Sequence, residues 1–298
     1  MVRGGHKVKI KESISYKIFK AADILIISLI ALVCLYPMLY VLFASLSDPN
    51  EFMQHQGLLF KPLGLTFQSY VQATKHPMIL SGYINTIMVL VGGLAINMFF
   101  TLTGGYVLSV RDFKWRKLLN KLVVFTMLFS GGMVPFFITV KSVGLLDTYW
   151  SLVLPVAINT FNLIIIRTAF ESVPLSLSES ARLDGANEFT ILFRIILPLC
   201  MPSVAVIILY YGVQHWNSWF NSMLFLQDRK KFPLQLILRE VLLQNDTSTM
   251  TAGGGDTIGM SDTVKYAVII ISTLPVLALY PFLQRYFVKG VMVGAVKG

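Results

Sequence analysis

Of the 298 residues, 55% are hydrophobic and only 13% are charged, with a mean hydropathy of +0.68. Soluble domains carry about 25% charged residues, so this composition excludes a large soluble globular protein and marks an all-α polytopic membrane protein. A net charge of +10 would suit nucleic acid, but the cations fall between long apolar runs, where they set membrane orientation, and nucleic acid is a poor reading.

Along the chain, a basic tail with Arg3, Lys7, Lys9, Lys11, Lys17 and Lys20 leads to the charge-free run Ile24 to Ala44. At about 1.5 Å per residue that run covers the roughly 30 Å hydrocarbon core. No small-residue cleavage site comes after it, so a first span is expected and not a cleaved signal peptide. A polar loop, 45–81, precedes a second span over 83–108. The third, over 122–140, is interrupted by Gly131, Gly132 and Pro135, and the fourth covers 149–166. A fifth, 199–220, is followed by a polar segment in which 232–242 has helical periodicity and 247–259 reads as a flexible external stretch. The sixth span covers 264–283. Six spans put both termini on one side. The loops on that side carry 17 Lys and Arg against 7 opposite, which makes the termini and the loop 167–198 cytoplasmic. Cys34 and Cys200 lie in or beside spans and form no metal or redox spacing.

The loop 171–198 stands out between apolar segments. Pro174 ends the preceding helix, and Ser176 stands three residues before Glu179, a capping-box spacing that starts a short helix near Leu177. Gly185 is expected to end it in the left-handed conformation. Asn187 then caps a second helix with Phe189, Ile191, Leu192, Ile195 and Ile196 on an apolar face, lying on the membrane until Pro198 breaks it.

The spans are nearly free of ionisable groups, only His215 and Lys265 falling in or beside them, so the ion site of a coupled carrier is missing. A phosphate-binding G-x-x-x-x-G-K-[ST] run is also missing, as are paired carboxylates, a metal-ligand spacing and an activated nucleophile. The chain is therefore not expected to be an enzyme or to bind a cofactor. Polar and aromatic residues do cluster in the spans: Asn85, Asn159, Asn162, Gln214, Trp216, Asn217 and Trp219. Amides beside indole rings suit a sugar path; the same residues suit interhelical hydrogen bonds and an interfacial aromatic belt, and both readings stand.

Glu179-Ser180-Ala181, Gly185, then Ile195 and Leu197-Pro198 resemble the E-A-A-x-x-x-G-x9-I-x-L-P signature of the membrane subunits of binding-protein-dependent ABC importers, with Ser180 in place of the first Ala. Asn85-Thr86, Gly144 to Thr148, His215-Trp216-Asn217, Phe232 to Gln235 and the end from Gln284 to Gly298 are similar to the carbohydrate branch of that family. The resemblance implies a type I importer transmembrane fold of six helices. It divides the chain into 1–80 (tail, first span, external loop), a transporter domain over 81–285 and a C-terminal tail over 286–298. It also implies that Glu179, Ser180, Ala181, Asp184, Gly185, Ala186, Leu197 and Pro198 form the ATPase-coupling loop. The partners it implies are a second permease, two ATPase subunits that use ATP and Mg, an extracellular sugar-binding protein and membrane lipid, in the bacterial cytoplasmic membrane. The alternative is a carrier or facilitator that works alone, with the loop as a surface helix pair.

Overall fold

The computed structural model describes residues 13–75, 77–248 and 262–295, with side chains up to 243 in the second stretch and up to 278 in the third. The first basic residues of the tail, most of the stretch 247–259 and the last three residues lie outside the described residues. Among the described residues every regular element is helical. In chain order these are α1 (Ile14–Ser45), α2 (Pro49–Gln54), α3 (Gln68–Lys75), α4 (Pro77–Ser109), α5 (Arg116–Leu128), α6 (Met133–Ser142), α7 (Trp150–Val153) and α8 (Thr160–Glu171). They continue with α9 (Leu175–Leu183), α10 (Glu188–Thr190), α11 (Leu197–Leu199), α12 (Met201–Trp216), α13 (Trp219–Phe225), α14 (Leu234–Ser248) and α15 (Asp262–Ala295).

Among the described residues two helices, α1 and α4, are long and apolar enough to cross a membrane unbroken, and three bent pairs each match one more of the expected spans. The third span bends by 116° between α5 and α6, where Gly132 takes φ +85°. The fourth bends by 49° between the short turn Leu154–Val156, which contains Pro155, and α8. It also extends beyond the expected boundary, to Glu171. The fifth is shorter than expected: α12 stops at Trp216, and α13 is a separate helix. The helix read from 232–242 appears as α14, and the sixth span lies in α15, which continues past the expected end at residue 283 to Ala295.

Two compact units form, one from the described parts of Met1–Tyr70 and Ser261–Ile270 and one from those of Val71–Met260 and Ile271–Gly298. In the first, α1 leaves most of its apolar side chains exposed, as a lipid-facing helix does. Its C-terminal end is tied locally: Leu59 N–H donates to Tyr36 Oη at 3.0 Å, and Ser45 Oγ and Tyr70 Oη lie 2.7 Å apart.

The second unit is built on α4, which contacts α8, α12 and α14. Its helical pattern has almost no amphipathic bias, because its exposed face, with Ile84, Ile87, Val91 and Phe99, is apolar too; Asn85, Gly93, Asn97, Thr101 and Gly105 are all buried along the opposite one. Two apolar cores lie at its two ends. Leu102 packs with Ile166, Phe170, Ile191, Leu192 and Ile207 at the C-terminal end, and Val89 with Leu152, Phe225, Phe232 and Ile237 at the N-terminal end.

Close approach at two glycines sets these contacts. A Cβ on Gly93 would sit 2.5 Å from His215 Nε2, and one on Gly105 would sit 2.5 Å from Ile166 Cγ2. Small residues at such points let helix axes come together in lipid. Gly105→Ala is expected to cost about 1–3 kcal/mol by overpacking the fully enclosed Ile166, whereas Gly92→Ala meets open space and should leave stability unchanged or raised. Thermal unfolding of the two variants in detergent checks the difference.

Candidate functional site

The helix after α8 begins earlier than the sequence indicates. Pro174, at φ −57° and ψ 129°, precedes the first turn of α9, so Ser176 falls inside the helix and no side chain caps it. The expected capping box of Ser176 and Glu179 does not form, because the start set by Pro174 places Ser176 one position past the first helical residue. The end agrees with expectation. Gly185 has φ +81°, Ala186 N–H donates to Ala181 C=O at 2.9 Å, and Gly185 N–H to Arg182 C=O at 3.0 Å. This pair of bonds is the Schellman closure, which requires the left-handed residue and satisfies two carbonyls left orphaned at the helix end.

Asn187 caps the next segment, its side chain accepting from Thr190 N–H at 2.8 Å. The chain beyond this cap is more than a surface helix. Residues Ile191–Ile196 form a π-helical turn, and Ile191, Leu192 and Ile196 are buried in the core with Leu102 and Ile166. Nor does the chain break at Pro198: Pro198 lies in α11, and the 92° bend comes at Cys200.

A charged lock ties the two helices across the glycine turn. Arg182 donates from Nε and Nη2 to the two carboxylate oxygens of Glu188, at 2.9 and 3.2 Å, and Tyr106 from α4 donates its hydroxyl to the same carboxylate. The hydrogen bond from Arg182 holds the Glu188 carboxyl below its usual range, against a smaller rise from burial. As a partly exposed pair, Arg182 and Glu188 contribute no more than about 1 kcal/mol; what they fix is direction. Through Tyr106 they join the loop to α4.

Glu179, Ser180, Asp184 and Gly185 face outward, and Leu183, between them, is 89% exposed. Ala181 is the buried contact, in the core beside Ile191. Ala186 and Leu197 are half-buried against the same core, and Pro198 is exposed. The helix therefore presents a small apolar and acidic outer face on a fixed inner one. At its entrance, Glu171 accepts from Arg167 at 3.0 Å and from Arg116, while Arg116 Nε donates to Leu108 C=O at 2.9 Å. Two guanidinium groups on one carboxylate hold the end of α8 against the start of α5 and the end of α4.

At the other end of α4, Asn85 Nδ2 donates to the carbonyls of Lys230 and Phe232 at 2.7 and 3.1 Å, and its Oδ1 accepts from Tyr149. Trp216 is buried, with Nε1 donating to Ser272 C=O at 3.1 Å. At these two positions the geometry is that of the interhelical bond. Asn159 caps α8, accepting from the N–H of the buried Asn162. Gln214 is half-buried, Asn217 is exposed, and Trp219 is 37% exposed beneath Arg239. Tyr106, Arg182, Glu188 and Asp147 carry much of this architecture without having been singled out in the sequence. Their partners lie far along the chain, and only the Arg182–Glu188 spacing, across a predicted glycine turn, offered a local cue.

Among the described residues the chain is helical throughout, with an outward-facing loop between two spans that is tied by its own contacts to α4. Residues 101–293 match the family of binding-protein-dependent transport system inner membrane components, and the chain belongs to it. It is an ABC importer permease subunit with the type I fold. It is 43% identical over 286 residues to Protein LplC of Bacillus subtilis, covering 95% of this chain and 96% of that one. It is 42% identical to the polygalacturonan/rhamnogalacturonan transport system permease YtcP of the same organism, covering 90% and 94%. A crystal structure of a bacterial ABC transporter involved in the import of the acidic polysaccharide alginate contains a chain that superposes with a TM-score of 0.85 at 31% identity, covering 94% of this chain and all of that one.

These contacts set two expected outcomes. Tyr106→Phe removes one of the bonds to Glu188 and should raise amide hydrogen exchange over 183–190 several-fold while leaving α8 protected. Asp147 Oδ1 accepts from the N–H groups of Asp228 and Gln227, and its Oδ2 pairs with Lys231, which holds its carboxyl down from the usual 3.8 to about 2. A lowered folded value means stabilisation that is complete above about pH 4 and lost as pH falls toward 2. The unfolding temperature should fall over that window, and Asp147→Asn should flatten the fall.

Proposed function

We propose that this subunit passes an oligosaccharide across the cytoplasmic membrane by alternating access, driven by two separate ATPase subunits that bind ATP and Mg, paired with a second permease and fed by an extracellular sugar-binding protein. Support for the cargo comes from the relatives, which include permeases named for polygalacturonan/rhamnogalacturonan and for arabinooligosaccharides, and the alginate importer. The orientation proposed is that read from the basic loops, with both termini and the loop 171–198 cytoplasmic and residues 286–298 reaching toward the ATPases.

The observation that carries the coupling role is the outer face of α9. Leu183 is almost fully exposed beside Glu179, Ser180 and Asp184, on a short helix closed by Gly185 and joined through Glu188 to α4. A large apolar side chain held out on a rigid turn fits a docking contact, and the carboxylates position the helix against cations of the ATPase without acting as acids or bases. Movement of α9 reaches the spans through Tyr106. Among the sugar-path candidates, Gln214, Asn217 and Trp219 keep accessible surface, while Asn85 and Trp216 serve packing.

A Cβ at Gly185 meets no atom within 4 Å, so the cost of a substitution there is conformational: a β-branched residue does not take φ +81°. Gly185→Val should insert normally, copurify with the second permease, lose the ATPase and reduce oligosaccharide uptake at least tenfold. If the variant retains both the ATPase and normal uptake, the coupling assignment is wrong. If wild type copurifies with neither ATPase nor second permease in mild detergent, the lone-carrier reading takes its place.

A further inference from the structure

Helices α13 and α14 lie side by side. Trp219 and Met223, four residues apart and so on one face of α13, both contact Arg239 of α14. The guanidinium carbon stands 4.3 Å above the centroid of the Trp219 ring, and an Nη1 proton is directed at Met223 Sδ. Among the described residues no carboxylate pairs with Arg239. Its sequence neighbour Glu240 is taken by Arg229 at 2.7 Å. Trp219 keeps 37% of its surface and Asn217, two residues before it at the end of α12, is exposed.

A planar cation is thus held flat on an aromatic ring, and among the described residues neither a carboxylate nor any acceptor but Met223 Sδ engages its fork. Stacking on the ring preorganises the guanidinium fork, and a fork with free donors pairs with a carboxylate through two parallel bonds. The indole, which keeps accessible surface, offers an aromatic surface to the C–H face of a sugar ring, and the exposed Asn217 amide offers a donor and an acceptor to its hydroxyls.

We propose that Arg239, Trp219 and Asn217 form a subsite for a uronic-acid unit, so that this subunit reads the carboxylate of an acidic oligosaccharide. The assignment rests on the oligosaccharide reading above and narrows it to a charge class. Arg239 is the specificity-determining residue, Trp219 the platform that orients it. A neutral sugar leaves the fork unpaired and gains only the stacking and hydroxyl contacts, so the subsite discriminates by charge more than by size.

The test uses the complete importer, with its ATPases and binding protein, in liposomes, and measures the uptake ratio of trigalacturonate to the same trisaccharide with its carboxyls reduced to alcohols. Wild type should favour the acid. Arg239→Gln should lower the acid-to-neutral ratio about tenfold, the effect expected of one charge-assisted contact. Arg239→Lys, which keeps the charge and loses the fork, should lower it less, and added salt should shrink the wild-type preference. If Arg239→Gln and Trp219→Leu reduce both sugars in the same proportion, the pair is a staple between α13 and α14 and the assignment is overturned. A wild type with no preference for the acid overturns it as well. A wild type that takes up neither sugar removes the oligosaccharide reading, and this one with it.

Discussion

A backbone carbonyl at membrane depth has no water to bond, so each break in a helix there needs a donor from a neighbour. At the break before α8 that donor is Asn97: its amide gives one proton to Val156 C=O at 2.7 Å and one to Ala157 C=O at 2.9 Å. The remaining amide oxygen lies 2.6 Å from His215 Nε2, and Tyr211 Oη accepts from the Asn159 N–H at 2.8 Å. The side chains of Asn97, His215 and Tyr211 are buried, and between them they tie α4 and α12 to the break. Removing Asn97 would leave two carbonyls and an imidazole unpaired in hydrocarbon, at a cost of several kcal/mol in a dry interior.

That satisfied break lets one continuous helix organise the larger unit. From Asn85 to Tyr106, α4 rises about 32 Å, close to the hydrocarbon thickness of a bilayer. At one end Asn85 and Thr86 hold the segment 230–234 through its carbonyls and the Leu234 N–H. At the other, Tyr106 holds Glu188 in the loop. Between them the buried glycines bring α12 and α8 close enough that neither slides independently of α4. The loop carrying α9 is thus joined to α4 through packed side chains and hydrogen bonds.

Several elements of this arrangement were legible in the sequence for simple reasons. Hydrophobic run length gave the spans, since only an uninterrupted apolar stretch or a bent pair crosses lipid. Gly185 was legible because a helix end with no other residue able to take positive φ announces itself, and Asn187 because a short polar side chain before Glu188 is a cap. The start of α9 was misjudged: Ser176 and Glu179 have the right spacing for a cap, but Pro174 fixes the entry two residues earlier, and a backbone constraint outranks a side-chain option. The ends of the fourth and fifth spans were misplaced because hydropathy counts Arg167 and Glu171 against the helix although they pair with one another on α8, and does not register the end of α12 at Trp216, beyond which the apolar run continues in the separate helix α13.

For the polar residues of the spans, the sequence admitted two uses and could not choose. Asn85 and Trp219 look alike on paper, each an interruption in an apolar run. Asn85 is spent on two carbonyls and a tyrosine, while Trp219 stays accessible under a guanidinium whose neighbouring carboxylate is engaged elsewhere. Composition, run length and the placement of Lys and Arg determined that this chain is a multi-span membrane protein with a structured polar loop, because those properties arise from transfer of each segment into lipid one at a time. Which polar groups face each other, which guanidinium stacks on Trp219, and how the loop is joined to α4 were decided only by tertiary structure. Those contacts join residues tens to more than a hundred positions apart, and no local preference of the chain encodes their meeting.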